Sequence, residues 1–204
     1  MIRIAAVRGV RASVAALVLC LASTAAYGAS NLIKNGSFEK PVVAVGGYQV
    51  FSTGDTFSHW TTVGDSGNVA IVSGAFTQNG FSFPAKAGQQ WLDLTGVSQT
   101  ATGVAQKVVT VPGQAYTLTF FVGNAYDPGG IFGVSSTVNV LVNGQQAFTA
   151  TNTKGKGKTL QVWQKFITTI MATSSKTTIA FINGDPSNDT QNGLDKITLV
   201  PQGD

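Results

Sequence analysis

Apolar and polar residues alternate most clearly along residues 104–124, and this stretch is the centre of the predicted fold. One face of its first half carries Val104, Gln106, Val108 and Thr110. The corresponding face of its second half carries Tyr116, Leu118, Phe120 and Val122. Pro112-Gly113 between the halves is typical of a tight turn, because proline presets φ and glycine tolerates positive φ. The pattern predicts an apolar β-hairpin, which needs a second sheet to cover it.

Further strands are predicted wherever short runs rich in β-branched or aromatic residues lie between turn residues. These runs are residues 31–39, 59–63, 69–73, 90–95, 137–142, 145–151, 161–173, 177–183 and 194–200. Asn143-Gly144 joins two of them, and this pair favours a type I′ hairpin turn. Sustained helical periodicity is absent from the sequence. The chain is therefore predicted to be all-β, an antiparallel β-sandwich of the jelly-roll type.

The first 28 residues have the pattern of a secretory signal peptide. Arg3, Arg8 and Arg11 supply a positive start, and residues 14–22 form a short apolar run. Ala26 and Gly28 then place small residues at the positions that a signal peptidase reads. The apolar run is too short for a lasting membrane span. We expect cleavage after Gly28, a single domain over residues 29–204, and secretion to the periplasm or the medium.

Charge and cysteine content limit the partners of the mature domain. The chain carries 13 Lys and Arg residues against 9 Asp and Glu residues. All three arginines lie in the leader, so ten lysines face nine acidic residues in the mature domain. This balance argues against nucleic acid as a partner. Cys20, the single cysteine, also lies in the leader, so we expect no disulfide and no thiolate metal site after cleavage.

Five segments in order carry a resemblance to a known family. They are NLIKNGSFEKP, HW, AGQQWLDLTG, TVPGQAYTLTFFVGN and GLDKITLVP, which together span residues 31–201. In this order they resemble the secreted domain-of-unknown-function 642 proteins and the bacterial choice-of-anchor C proteins. Those proteins are similar to carbohydrate-binding modules with a galactose-binding-like jelly roll. The resemblance implies an extracellular sandwich associated with cell walls or surface polysaccharide.

Two departures from the family pattern affect this expectation. The plant members carry cysteines that the mature domain lacks. Many bacterial members continue into a C-terminal anchoring segment, whereas this sequence ends at Pro201-Gln202-Gly203-Asp204 with no apolar tail. We therefore expect free secretion.

The sequence does not predict an enzyme. Gly64-Asp65-Ser66-Gly67 is similar to a serine-protease motif and His59 is near it, but a triad needs a base and an acid that the fold aligns. A type I or I′ turn in an apparent hairpin is the simpler interpretation of this motif. A glycosidase needs two facing carboxyl groups, yet Glu39 is the only glutamate and the aspartates are scattered in predicted loops.

One metal site is implied by the resemblance. In similar jelly-roll modules the Glu that ends the first strand and an Asp that opens the last strand share a structural calcium with backbone carbonyls. The corresponding residues here are Glu39 and Asp195. The alternative is that Glu39 pairs with a lysine and that Asp195 caps a turn. Asp185 and Asp189 are weaker candidates as ligands for Ca²⁺.

Candidate ligand-binding residues are aromatic side chains in or beside predicted loops, because a sugar ring offers C–H faces and hydroxyl edges. They are Tyr48, Phe51, Trp91, Tyr126 and Phe132, with Asp127 beside Tyr126. Trp91 is the first choice because Gln89, Gln90 and Asp93 flank it, and the alternative for each aromatic residue is packing in the core. Trp60 and Trp163 lie in predicted strands and are assigned to the core.

The sequence thus leaves two classes of function open. The first is an exported, non-catalytic, lectin-like β-sandwich that binds polysaccharide or another glycan at the cell envelope or in the medium. The second is a structural or adhesive matrix protein that acts through protein contacts or self-association. The basic segment Lys154–Lys158 could meet an acidic polysaccharide, although a solvated turn is the simpler interpretation.

Overall fold

The computed structural model describes residues 30–186 and 191–203. The predicted signal peptide and Asp189 lie outside these residues. The described part of the chain contains strands and turns, and it holds no helix long and apolar enough to cross a membrane. The strands are β1 (Tyr48–Ser52), β2 (Thr56–Phe57), β3 (Trp60–Gly64), β4 (Asn68–Ser73), β5 (Thr77–Gln78), β6 (Phe81–Ser82), β7 (Gln90–Asp93), β8 (Thr102–Val109), β9 (Ala115–Asn124), β10 (Ser136–Val142), β11 (Gln145–Asn152), β12 (Val162–Met171), β13 (Lys176–Asn183) and β14 (Gly193–Pro201).

Two six-stranded antiparallel sheets form a sandwich, which confirms the predicted fold class. Sheet A has the order β1-β4-β7-β14-β9-β12, and sheet B has the order β11-β10-β13-β8-β3-β2. Strands β5 and β6 form a small separate ribbon. A second apolar cluster lies on the outer face of sheet A.

The main core lies between the two sheets and is built from the predicted alternating residues. Leu118, Phe120 and Val122 of β9 are fully buried, as is Val104 of β8. The Phe120 ring stacks on Phe166 at 5.8 Å between centroids and meets Phe181 edge-on at 5.3 Å. Trp60 is fully buried and donates from Nε1 to the Asn35 carbonyl, which confirms its assignment to the core.

The stretch over residues 104–124 is not a hairpin, and that prediction is wrong. Strand β8 pairs with β3 and β13 in sheet B, whereas β9 pairs with β12 and β14 in sheet A. The turn at Pro112-Gly113 therefore carries the chain from one sheet to the other. The reason is that both strands have one strongly apolar face, and placing them in opposite sheets lets those faces meet across the core.

Two other local predictions differ from the structure. Residues 31–39 form no strand, because Asn35 and Phe38 take positive φ values of 51° and 54° that interrupt an extended backbone. The turn over residues 64–67 joins β3 of sheet B to β4 of sheet A, so it is not a hairpin turn. The Asn143-Gly144 turn is confirmed, with φ values of 51° and 82° between the paired strands β10 and β11.

Candidate functional site

A cavity of about 380 Å³ opens on the outer face of sheet A. Its floor is formed by β4 and β7, which contribute Val72, Trp91 and Asp93. Its cover comes from loops between the strands, which contribute Phe76, Phe83, Ile131 and Phe132. The exposed residues of its lining are Tyr48, Gln78, Val97, Gln99 and Ile131. This size falls within the range of small-molecule sites, which is roughly 300–1,000 Å³.

The walls of the cavity belong to a second apolar cluster, separate from the main core. This outer cluster consists of Ala70, Val72, Phe83, Trp91, Ala125 and Phe132. Phe83 meets Phe132 edge-on at 5.1 Å between ring centroids and stacks on Trp91 at 6.1 Å. Strands β4 and β7 are consequently buried on both faces, with the main core on one side and the loops on the other.

Tyr48 lies at the mouth of the cavity, as an exposed ligand-binding residue would. It is on the edge strand β1, directly opposite Val72 of β4, and 52% of its surface is exposed. Its ring meets Phe76 edge-on at 5.9 Å. An aromatic face is thus offered to solvent beside an aromatic wall, which is the arrangement that a sugar ring or another flat apolar group can stack on.

Trp91 is buried, and the expectation that it is an exposed stacking residue is wrong. Only 1% of its surface is exposed, and its Nε1 donates to the Phe83 carbonyl at 3.0 Å. Trp163 packs edge-on against it at 6.1 Å between ring centroids. Because β7 lies inside the sheet and its outer face is covered by loops, Trp91 forms part of the cavity floor and wall. Trp163, which was assigned to the core, is half-buried and packs against the outer cluster. Phe51 is buried in the main core, so the expectation that it is a ligand-binding residue beside a loop is wrong.

The predicted residues of the loop after β9 separate into two groups. Phe132 is 3% exposed and forms a wall of the cavity. Tyr126 and Asp127 are half-buried and do not line the cavity. The Asp127 carboxylate accepts a hydrogen bond from the Ile131 N–H at 3.0 Å, and its main-chain N–H donates to the Gly133 carbonyl. Asp127 therefore shapes the loop that carries Ile131 and Phe132 over the cavity.

Asp93 places a carboxyl group in the otherwise mostly apolar lining. It is 8% exposed, and its Oδ1 accepts hydrogen bonds from the N–H groups of Thr95 at 3.0 Å and Asn192 at 3.2 Å. Burial raises the pKa of Asp93 to about 7, although main-chain hydrogen bonds from Asn192, Thr95 and Gly96 act in the opposite direction. The sequence indicated Asp93 only as a polar neighbour of Trp91.

Gln191 adds a buried amide to the cavity wall. Its Oε1 accepts a hydrogen bond from the Ala125 N–H at 2.9 Å, and its Nε2 donates to the Gln161 side chain. Gly193 leaves space for this pair, because a Cβ there would lie 2.7 Å from Gln161 Oε1. The amide is therefore held in position by the residue after β9 and by the residue before β12.

Glu39 and Asp195 hold the segment over residues 86–90, which leads into β7. Glu39 Oε1 accepts hydrogen bonds from the N–H groups of Gln89 at 2.9 Å and Gln90 at 3.0 Å. Asp195 Oδ2 accepts them from Lys86 at 2.8 Å and Ala87 at 2.9 Å, and Oδ1 accepts one from Lys196. Burial, with a smaller contribution from the charge of Glu39, raises the pKa of Asp195 to about 7 although main-chain hydrogen bonds from Ala87, Lys196 and Lys86 lower it, so the two carboxyl groups lie close enough to interact.

The fit of calcium to this pair can be tested on its donor set. Calcium takes roughly 6–8 oxygen ligands. Within the described ranges no three or more Asp, Glu, His or Cys side chains gather as a possible metal site. Five N–H groups already direct their positive ends at the Glu39 and Asp195 oxygens, which leaves Glu39 Oε2 as the oxygen without such a bond. The donor set is sparse, and calcium at Glu39 and Asp195 stays a prediction.

The comparisons with known proteins bear on the whole chain. The family model of DUF642, described as a protein of unknown function, matches residues 31–199. This chain belongs to the DUF642 family. No curated protein sequence matches the chain.

Several solved structures are similar to this DUF642 protein. A cyclase from Fischerella sp. TAU, in complex with 4-(1H-indol-3-yl)butan-2-one, matches with a TM-score of 0.59 and 19% identity over 83% of this chain and 96% of that chain. A family 35 carbohydrate binding module from Clostridium thermocellum matches with a TM-score of 0.47 and 12% identity over 74% and 96%. The CBM22-1 xylan-binding domain from Paenibacillus barcinonensis Xyn10C matches with a TM-score of 0.46 and 17% identity over 78% and 97%.

Proposed function

We propose that this DUF642 protein is an exported, non-catalytic β-sandwich that binds carbohydrate at the cell envelope or in the surrounding medium. The observation that supports this function best is the cavity on the outer face of sheet A, with the exposed Tyr48 ring at its mouth. Export rests on the predicted leader over residues 1–28.

The chemistry of the cavity suits a sugar. Rings from Tyr48, Phe76 and Phe132 offer apolar faces to the C–H side of a pyranose. The side chains of Gln78 and Gln99 add amide groups at the exposed rim, and Gln191 and Asp93 add polar groups deeper inside. Amides are both donors and acceptors, so they match hydroxyl groups. Because loops cover the floor, the site is suited to the end of a glycan or a short branch.

A glycan array with the mature domain tests this function, and Tyr48 variants test the site. Tyr48→Ala should weaken binding by about 1–3 kcal/mol, the usual cost of losing an aromatic stacking surface, and should leave melting nearly unchanged. Tyr48→Phe keeps the ring and should retain most of the affinity. Tyr126→Ala is the matched control outside the cavity and should bind as wild type does. Equal affinity of Tyr48→Ala and wild type would remove this site assignment.

The structural or adhesive alternative has one observation in its favour. Apolar side chains are exposed just before and along the edge strand β1, including Val42 at 81%, Val45 at 90% and Val50 at 36%. An edge strand with exposed apolar residues can pair with another chain. A blank glycan array together with concentration-dependent oligomers, measured by analytical ultracentrifugation, would support self-association and contradict the carbohydrate proposal.

A further inference from the structure

We infer that Asp93 meets the ligand as an uncharged carboxylic acid and donates a hydrogen bond to it, so that the cavity selects neutral glycans over acidic ones. This inference rests on the proposed function and specifies the class of glycan that the same site binds. Three features of the cavity support this inference. They are the position of Asp93, the lack of a positively charged side chain among the described lining residues, and the unequal hydrogen bonding of the two Asp93 carboxyl oxygens.

The position of Asp93 puts its carboxyl group between apolar walls. Its cross-strand neighbours are Ala70 of β4 and Gly193 of β14, neither of which has a polar side chain. Trp91 precedes it by two residues on the same face of β7 and forms the adjacent wall. A carboxylate in such surroundings loses most of its hydration, and this cost favours the protonated form.

The described residues that line the cavity around Asp93 include no cation. Among the described residues that line the cavity, Asp93 is the single acidic or basic side chain, and Tyr48 at the mouth is the other titratable one. The loop after β7 and the residues before β14 contribute the N–H groups of Thr95, Gly96 and Asn192. These dipoles stabilise the anion only in part, so burial outweighs them and holds the pKa of Asp93 near 7.

The oxygens of Asp93 are used unequally. Oδ1 accepts the hydrogen bonds from the N–H groups of Thr95 and Asn192, whereas the Gly96 N–H group and the Thr95 hydroxyl act on the carboxyl group more weakly, so we place the proton on Oδ2. An O–H group there can donate to a neutral acceptor, such as a sugar hydroxyl or ring oxygen. A bound ligand also displaces water from the cavity, which raises the cost of the charged form. An acidic sugar would bring a negative charge into a mostly apolar cavity whose described lining holds no cation to pair with it.

The test uses an array of neutral and uronic-acid oligosaccharides, read with the same mature protein at about pH 5.5 and about pH 8.5. Wild type should bind neutral glycans at the lower pH and lose about tenfold to thirtyfold in affinity at the higher pH, because apparent affinity follows the neutral fraction of Asp93. Asp93→Asn keeps the shape and a donor at every pH, so it should retain binding at both. Uronic-acid oligosaccharides should bind more weakly than their neutral counterparts.

The outcomes separate this inference from the proposed function. Neutral glycans that bind equally at both pH values, or a preference for uronic acids, would overturn the role of Asp93 and leave carbohydrate binding in place. An array that is blank for every sample would contradict carbohydrate binding and this inference with it. The carboxyl carbon-13 chemical shift of Asp93, followed by NMR as the pH is changed, gives the titration midpoint of this group in the ligand-free protein. This measurement needs no variant and no ligand. A titration midpoint below about pH 5, near the ordinary value for aspartate, would overturn the inference whatever the array shows.

Discussion

Replacing Asp93 by asparagine should change how the stability of the protein depends on pH. Burial raises the pKa of Asp93 from 3.8 to about 7 in the folded state. Below pH 3.8 both the folded and the unfolded chain hold the proton, so the group has no effect there. Between 3.8 and 7 the unfolded chain releases its proton while the folded chain keeps it. The free energy of unfolding therefore falls as the pH rises through this interval, and it levels off above the folded pKa.

The magnitude follows from the size of the shift. Each pKa unit is worth about 1.4 kcal/mol, so wild type should lose roughly 3 kcal/mol between about pH 5 and about pH 8 through Asp93 alone. Asp93→Asn has no proton to exchange and still accepts the hydrogen bonds from Thr95 and Asn192. Over the same interval, the free energy of unfolding of the variant should therefore rise by roughly 3 kcal/mol relative to that of wild type. Asp195 also titrates near neutral pH, but its contribution is present in both proteins and cancels in the difference.

Urea unfolding at both pH values, followed by tryptophan fluorescence and by circular dichroism, measures this difference directly. Asp65→Asn removes a carboxylate from an exposed turn and controls for the loss of one surface charge. The decisive quantity is the change with pH of the gap between variant and wild type. A gap that stays constant within about 0.5 kcal/mol would mean that the folded and unfolded chains hold the Asp93 proton equally, and the reasoning from burial would be refuted.

Three further predictions test other parts of the molecule. Phe120→Ala should cost about 3–5 kcal/mol in urea unfolding, because Phe120 is fully buried against three aromatic rings, and a cost below about 1 kcal/mol would contradict this packing. If Glu39 and Asp195 bind calcium, a chelator should lower the melting temperature of wild type but not of Glu39→Ala, and wild type without bound calcium in elemental analysis would remove the site. Mass spectrometry of secreted protein should show an N-terminus near Ala29, and an intact Met1 on exported protein would contradict the predicted leader.

The alternation of residues predicted the buried faces of strands well and their partners poorly. Val104 and Phe120 are buried as predicted, yet their strands lie in opposite sheets. Periodicity reports which side chains share a face, but it does not report which neighbour receives the backbone hydrogen bonds. Asn143-Gly144 was predicted correctly because its turn type depends on two local φ values. The same pair at Asn35-Gly36 was a signal that residues 31–39 do not form an unbroken strand, whereas the positive φ of Phe38 follows from no preference of its residue type.

The candidate site could be predicted only in part, because some of its residues carry a recognisable sequence signal and others do not. Tyr48 and Phe132 were found as aromatics beside loops, and both line the cavity. Phe76 and Phe83 lie in an irregular segment, so no periodicity indicated that they cover a sheet. The burial of Asp93 could not be predicted, because a polar residue on the outer face of a strand normally meets solvent. The usable signal was the unbroken apolar run in β4, which indicates a strand covered on both faces.

Strands β4 and β7 are buried on both faces, and this burial is the reason why we propose the binding site on the outer face of sheet A. In an antiparallel sandwich one face of each sheet usually stays polar and hydrated. Here Val72 and Trp91 on the outer face would be costly to expose, so loops must cover them. The cover is incomplete and leaves the cavity with Asp93 inside it. A buried carboxyl group beside an open cavity, where an apolar residue would cost less, is difficult to explain by stability alone. It is explained if that group is there to bind a ligand.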